Sequence, residues 1–135
     1  MLHSSITLPM VSASDPAPAL ALLFALLIGH ALADFPLQGE FIANGKNRHL
    51  PAPKLGDGGE PPKFLWIYLM SAHSLIHAGF VWAITGSMLL GFAEFVIHWA
   101  IDSVKCEGRT SFGQDQGLHV ATKLVYVVII WIGWF

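Results

Sequence analysis

The residues able to do chemistry recur at one spacing. His30 and Asp34, His73 and His77, His98 and Asp102, and Asp115 and His119 each lie four apart; Glu94 precedes His98 by four and Lys123 follows His119 by four. Residues four apart share one helical face, with Cβ atoms about 5–6 Å from each other. Each pair therefore presents stacked polar groups from consecutive turns. Imidazole nitrogens and carboxylate oxygens are ligands of zinc, iron and manganese. The expected ligands of such a divalent transition metal are His30, His73, His77, His98, Asp102 and His119. Asp34 and Asp115 are expected to do catalytic work beside it. Asp34 and Asp102 each either bind the ion directly or hold a histidine tautomer. The set exceeds one tetrahedral site, so it suits two ions, or one ion with orienting carboxylates around it. Lys123 extends the Asp115–His119 face and Lys105 lies one turn beyond Asp102. Cations beside a metal suit an anionic substrate such as a phosphate group.

Each element also has a plainer role. A lone histidine on an apolar helix more often bonds a backbone carbonyl or a neighbouring helix than a metal. Asp34 and Asp115 also read as helix caps, and Glu94 as a partner for Lys123 across a bundle. Four like-spaced pairs on four segments separate the set from a lone histidine, because ionisable groups in membrane helices usually face an interior or a cavity. The G-x-S-x-G, H-E-x-x-H and G-x-x-x-x-G-K motifs are absent. Ser71 and Ser74 flank His73, as serines often do in membrane helices, and Cys106 reads as an idle thiol.

These pairs need elements to carry them. The chain has 135 residues, 54% hydrophobic and only 12% charged, with a formal net charge of −2. Its mean hydropathy is +0.58. Soluble domains carry about 25% charged residues, so a soluble globule, a disordered tail and a nucleic-acid binder are all disfavoured. Four apolar segments, at about 17–35, 64–84, 88–105 and 116–135, fall within the roughly 17–25 residues of a spanning helix, the third interrupted by polar groups. The expected fold is an all-α, integral membrane four-helix bundle over residues 17–135. A flexible tail (1–16) precedes it, and a polar, glycine- and proline-rich loop (36–63) is expected to be irregular. Trp66, Trp131, Trp134 and Phe135 lie near segment ends, where interfacial aromatics belong. Ala31-Leu32-Ala33 has the form of a signal-peptidase site, but residues 1–16 contain no Lys or Arg, so a retained helix is expected.

The basic residues orient the bundle. Lys46, Arg48, Lys54, Lys63, Lys105 and Arg109 fall in or beside the two loops on one side, and Lys123 lies nearer that side than the other. The positive-inside rule puts this side in the cytoplasm and both termini outside, as expected for a multi-pass protein of a bacterial inner membrane. Three of the four pairs fall near the cytoplasmic ends of their segments. His73 lies roughly 14 Å deep at 1.5 Å per residue, so segment two forms the floor of a cavity open to the cytoplasm. The expected surroundings are the lipid bilayer and either a larger membrane complex or a homo-oligomer, with no nucleic acid.

The ordered string His30-x3-Asp34-Phe35-x-Leu37-Gln38, His73, His98-x2-Ile101-Asp102-x2-Lys105 and Asp115-Gln116-x2-His119 resembles a bacterial and phage family of small membrane proteins, domain of unknown function 3307, over roughly residues 20–130. The resemblance implies a four-helix membrane protein whose polar residues matter, and carries no established activity. A looser similarity to inner-membrane metal-dependent hydrolases lacks their paired-aspartate signature. The expected function is hydrolysis of an amphipathic phosphoester or other lipid-linked group at the cytoplasmic face. The alternatives are a di-iron oxidoreductase acting on lipid or quinone, haem ligation, and a non-enzymatic subunit or assembly factor.

Overall fold

The chain enters its first helix through Asp15, whose carboxylate accepts the backbone N–H of Ala17 at 2.9 Å, and Pro16, which needs no donor there. The computed structural model describes residues 15–134; the tail before Asp15, with His3, and Phe135 lie outside the described residues. Five helices and no strand are found among them: α1 (Ala17–Asp34), α2 (Gly39–Gly45), α3 (Leu65–Thr85), α4 (Met88–Cys106) and α5 (Phe112–Trp131).

Two boundaries differ from the hydropathy reading. α5 begins four residues early because Ser111 and Gln114 form a reciprocal capping box: the Ser111 hydroxyl accepts the Gln114 N–H, and the Gln114 side chain accepts the Ser111 N–H. Its first turn is polar, so an apolar window cannot see it. The 36–63 loop is not wholly irregular either. It contains α2, a seven-residue helix too short to show a period. α2 packs against α3.

α3 packs on α1 and α4, and α5 also packs on α1 and α4, so the four long helices close a ring. α3 and α4 meet through a two-residue turn, where Gly86 takes φ +72° and the Ser87 hydroxyl caps Leu90. These two helices approach closely at Gly91, where an added Cβ would lie 2.9 Å from the Trp82 Cβ and 3.0 Å from the Ala78 carbonyl oxygen. Small residues let helix backbones come together in this way.

The interior is divided along its length. Ala19, Leu26, Val81, Leu90, Tyr126 and Val127 form an apolar core at one end. At the other end the buried side chains include His30, His73, His77, His98, Asp102, Asp115 and His119. Outward faces carry large apolar residues instead, among them Phe24, Leu75, Phe92 and Val125. α1 and α3 are each long and apolar enough to cross a membrane. α4 and α5, which carry Glu94, Asp102, Lys105, Asp115 and Lys123, do not meet that test on their own sequences.

Gly91→Leu is expected to wedge α3 from α4 and to destabilise by about 1–3 kcal/mol, as overpacking does. Gly79→Ala, whose Cβ meets nothing within 4 Å, is expected to be neutral or to stabilise by up to about 1 kcal/mol. Unfolding of both variants in mixed micelles checks the pair.

Candidate metal centre

The helical period brings one polar pair from each long helix to the same end of the ring. α1 supplies His30 and Asp34, α3 His73 and His77, α4 His98 and Asp102, and α5 Asp115 and His119. The rings crowd together: His77 and His98 stack with centroids 3.6 Å apart, His98 and His119 at 4.1 Å, and His73 lies 5.0 Å from His98. His30 lies 5.1 Å from His77 and 5.2 Å from His119.

Two groups of ligand atoms, each within 4.8 Å of one another, emerge: Asp34, His73, His77 and His98, and then His98, Asp102 and His119. Asp34 Oδ1 lies 3.0 Å from His77 Nε2 and 3.2 Å from His73 Nε2. Asp102 Oδ1 lies 3.3 Å from His119 Nε2 and 3.7 Å from His98 Nε2. Ligands bound at 2.0–2.1 Å in a tetrahedron sit about 3.3–3.4 Å from each other, so these spacings fit a metal's coordination edges.

Donor supply tests that fit. The Nδ1 of His98 lies 3.3 Å from Glu94 Oε1. With that nitrogen donating its proton, Nε2 is left as a lone-pair donor, and it is buried with no hydrogen-bond partner. Both ring nitrogens of His73 and Oδ1 of Asp115 are likewise buried and unsatisfied. His73 Nε2 thus faces Asp34 without a hydrogen bond's alignment, as two atoms aimed at a common third point do. One nitrogen serves one ion. If His98 joins Asp102 and His119, two neighbouring sets of two histidines and one aspartate result, each with room for a further ligand. His73 Nε2 also lies 3.6 Å from Asp102 Oδ2, which ties the sets together.

Charge points the same way. Lys46 pairs with Asp102, Lys105 with Asp115 at 3.3 Å, and Lys123 with Glu94 at 2.5 Å. Asp34 has no lysine; its neighbours are His30, His73, His77 and the amide of Gln116. A nearly buried carboxylate among imidazoles calls for a cation, and a metal ion supplies one.

The groups named from the sequence divide by position. His73, His77, His98, Asp102, His119 and Asp34 lie in the candidate ligand sets. His30 joins the cluster, but its Nε2 lies 3.1 Å from Gln116 Oε1, and Gln116 Nε2 donates to Asp34 Oδ2 at 2.7 Å, so His30 and Gln116 brace Asp34. Asp115 and Lys105 line a pocket of about 130 Å³ over the cluster, together with Asp34, Asp102, Gln38, Lys46 and Gln116. Lys123, expected from its sequence position to hold an anionic group, sits instead 1% exposed on Glu94 beneath the histidines. It balances the carboxylate that orients His98. Reasoning from the sequence missed Lys46, whose Nζ reaches both Asp102 and Gln38; it lies in a stretch without period, and no local signal marks it. Gln38 and Gln116 were visible only as residues beside the spaced pairs.

Residues 22–134 match the profile of a family described as a protein of unknown function, DUF3307, and the chain belongs to that family. No curated protein and no solved structure matches it. The family assignment supplies no chemistry, so the site's chemistry rests on its geometry.

Breaking the buried Glu94–Lys123 pair from one side should be costly. Glu94→Gln leaves a buried ammonium unpaired and is expected to destabilise by about 3–5 kcal/mol, with most of this recovered in Glu94→Gln/Lys123→Met. Equal instability of the single and double variants, measured by detergent unfolding, would mean that the pair is not what holds this layer.

Proposed function

We propose that the protein is a multi-pass membrane hydrolase that uses a divalent transition metal to cleave an amphipathic phosphoester or other lipid-linked group at the cytoplasmic face. The observation that carries this reading is the pair of His–His–Asp sets lying directly beneath a pocket flanked by Lys46 and Lys105. Two histidines and a carboxylate with an open position are a common zinc set in hydrolases. The bilayer assignment is supported by the reversed layout of the ring, polar within and apolar outward, a pattern suited to lipid. The orientation is supported by the basic residues, which gather at the cluster's end.

The residues divide the work. Asp34, His73 and His77 hold one ion, and His98, Asp102 and His119 the other. A bound zinc, manganese or iron supplies a nucleophile by bringing the pKa of water towards neutrality. Asp115 Oδ1, buried without a hydrogen bond and 3.7 Å from His119 Nε2, accepts a proton at the pocket wall, while its Oδ2 faces Lys105. Lys46 and Lys105 bind the anionic group and offset charge that grows at the reacting centre. Glu94 fixes the His98 ring.

The same two-histidine, one-carboxylate set also suits iron oxygen chemistry, which gives the oxidoreductase alternative a structural basis. The lysine- and carboxylate-lined pocket favours a polar, anionic group over a saturated chain. An optical spectrum separates the two, because zinc is silent and iron is not.

Elemental analysis after reconstitution with zinc, manganese or iron is expected to find about two ions per chain. His77→Ala and Asp102→Asn should each lower the content, with affinity falling at least about 10–100-fold. Lys105→Met should keep its metal and lose turnover across a panel of lipid phosphoesters. Metal near zero in the wild type would remove both enzymatic readings and leave the non-enzymatic subunit. For orientation, a C-terminal alkaline phosphatase fusion should be active and a C-terminal fluorescent fusion dark; the reverse pattern would put the site on the other face.

A further inference from the structure

Beside the cluster lies a second, larger hollow of about 350 Å³, lined by the start of α3, the last turns of α4 and the segments that follow α2 and α4. Its walls are of two kinds. Trp66, Met70, Trp99 and Val104 make one side apolar, with the two indoles 6.4 Å apart and tilted by 45°. Lys46, Arg48 and Arg109 put three cations on its rim, against a single carboxylate, Glu107. That carboxylate is already engaged by Arg48 and by His49 at 3.1 Å, and their hydrogen bonds hold it below the usual range, so it stays ionised. The ion pairs of the lining residues, Arg48 and His49 with Glu107 and Lys46 with Asp102 of the neighbouring pocket, do not include Arg109. Arg109 is exposed at the rim. Lys46 lines both this groove and the pocket over the histidines.

We propose that this groove binds an anionic membrane lipid, with the phosphate of its headgroup on Arg109 and Lys46 and the start of an acyl chain against Trp66 and Trp99. The occupant follows from the lining. An arginine fork matches a phosphate's oxygens, indoles sit at the boundary between headgroup and chain, and a lining that joins cations to indoles suits a ligand with both parts. The shared Lys46 gives the phosphate a path from the groove to the pocket, so the groove names the substrate's chemistry as a lipid phosphate. As a substrate site it rests on the hydrolase reading; as a lipid site it rests on the groove's own residues.

Cys106 lines this groove and is the chain's one cysteine, so its modification reports occupancy without a new label site. The full chain is placed in nanodiscs of phosphatidylcholine, with or without a minor fraction of phosphatidic acid, and Cys106 is alkylated with a polar maleimide. Phosphatidic acid is expected to slow the reaction several-fold, with and without chelator. Arg109→Gln should weaken this protection about fivefold, the effect of one basic residue near an anionic surface, and Arg109→Lys should retain most of it. Equal rates in the two lipid compositions, or protection unchanged in Arg109→Gln, would overturn the assignment whatever the metal content. Protection without turnover of phosphatidic acid would uphold the lipid site and count against the hydrolase.

Discussion

Everything at one end of this bundle depends on keeping ionisable groups satisfied away from water. Five imidazoles and three aspartates meet there, with Glu94 and Lys123 in the layer beneath. An unpaired buried charge costs several kcal/mol, so each group must find a partner across a helix boundary. Asp102 takes Lys46 from the turn after α2 as well as His119 from α5. Asp34 of α1 takes His77 of α3 and Gln116 of α5. These cross-bundle partners fix the register of four helices at once, which an apolar core of interchangeable methyl groups does less sharply.

That constraint also explains the division of the interior. The apolar end, around Leu26, Val81 and Leu90, can be packed by shape alone. The polar end is over-supplied with acceptors: Asp34 has no lysine, and nitrogens of His73 and His98 stay unsatisfied. A group of donors so arranged is incomplete as a structural core, and the proposed metal ions would complete it. Chemistry and architecture therefore draw on the same residues. Glu94 illustrates this, because within α4 it chooses the His98 nitrogen that faces the centre, and across the bundle it takes Lys123 of α5.

The sequence made the paired positions legible because a 3.6-residue period turns a spacing of four into a shared face. His73–His77 and Asp115–His119 could be read without any coordinates. The all-helical architecture was legible too, since the apolar runs are long and do not alternate. What stayed hidden was what period does not encode. α2 has seven residues and no repeat. The first turn of α5 is set by the Ser111–Gln114 capping box rather than by hydropathy. Lys46 acquires its place at Asp102 only when α2 packs on α3, whereas the Glu94–Lys123 pair was one of two roles the spacing offered those residues, and it forms because both lie one turn below the histidines.

The central claim is that two His–His–Asp sets bind metal, and X-ray absorption of the cobalt-reconstituted protein tests it most directly. The account predicts tightly held cobalt with only nitrogen and oxygen neighbours at about 2.0–2.1 Å, and outer scattering from more than one imidazole per ion. His98→Ala should reduce that imidazole signal. Cobalt that washes out without a chelator, or that is bound through the Cys106 sulfur with no imidazole signature, would contradict the account.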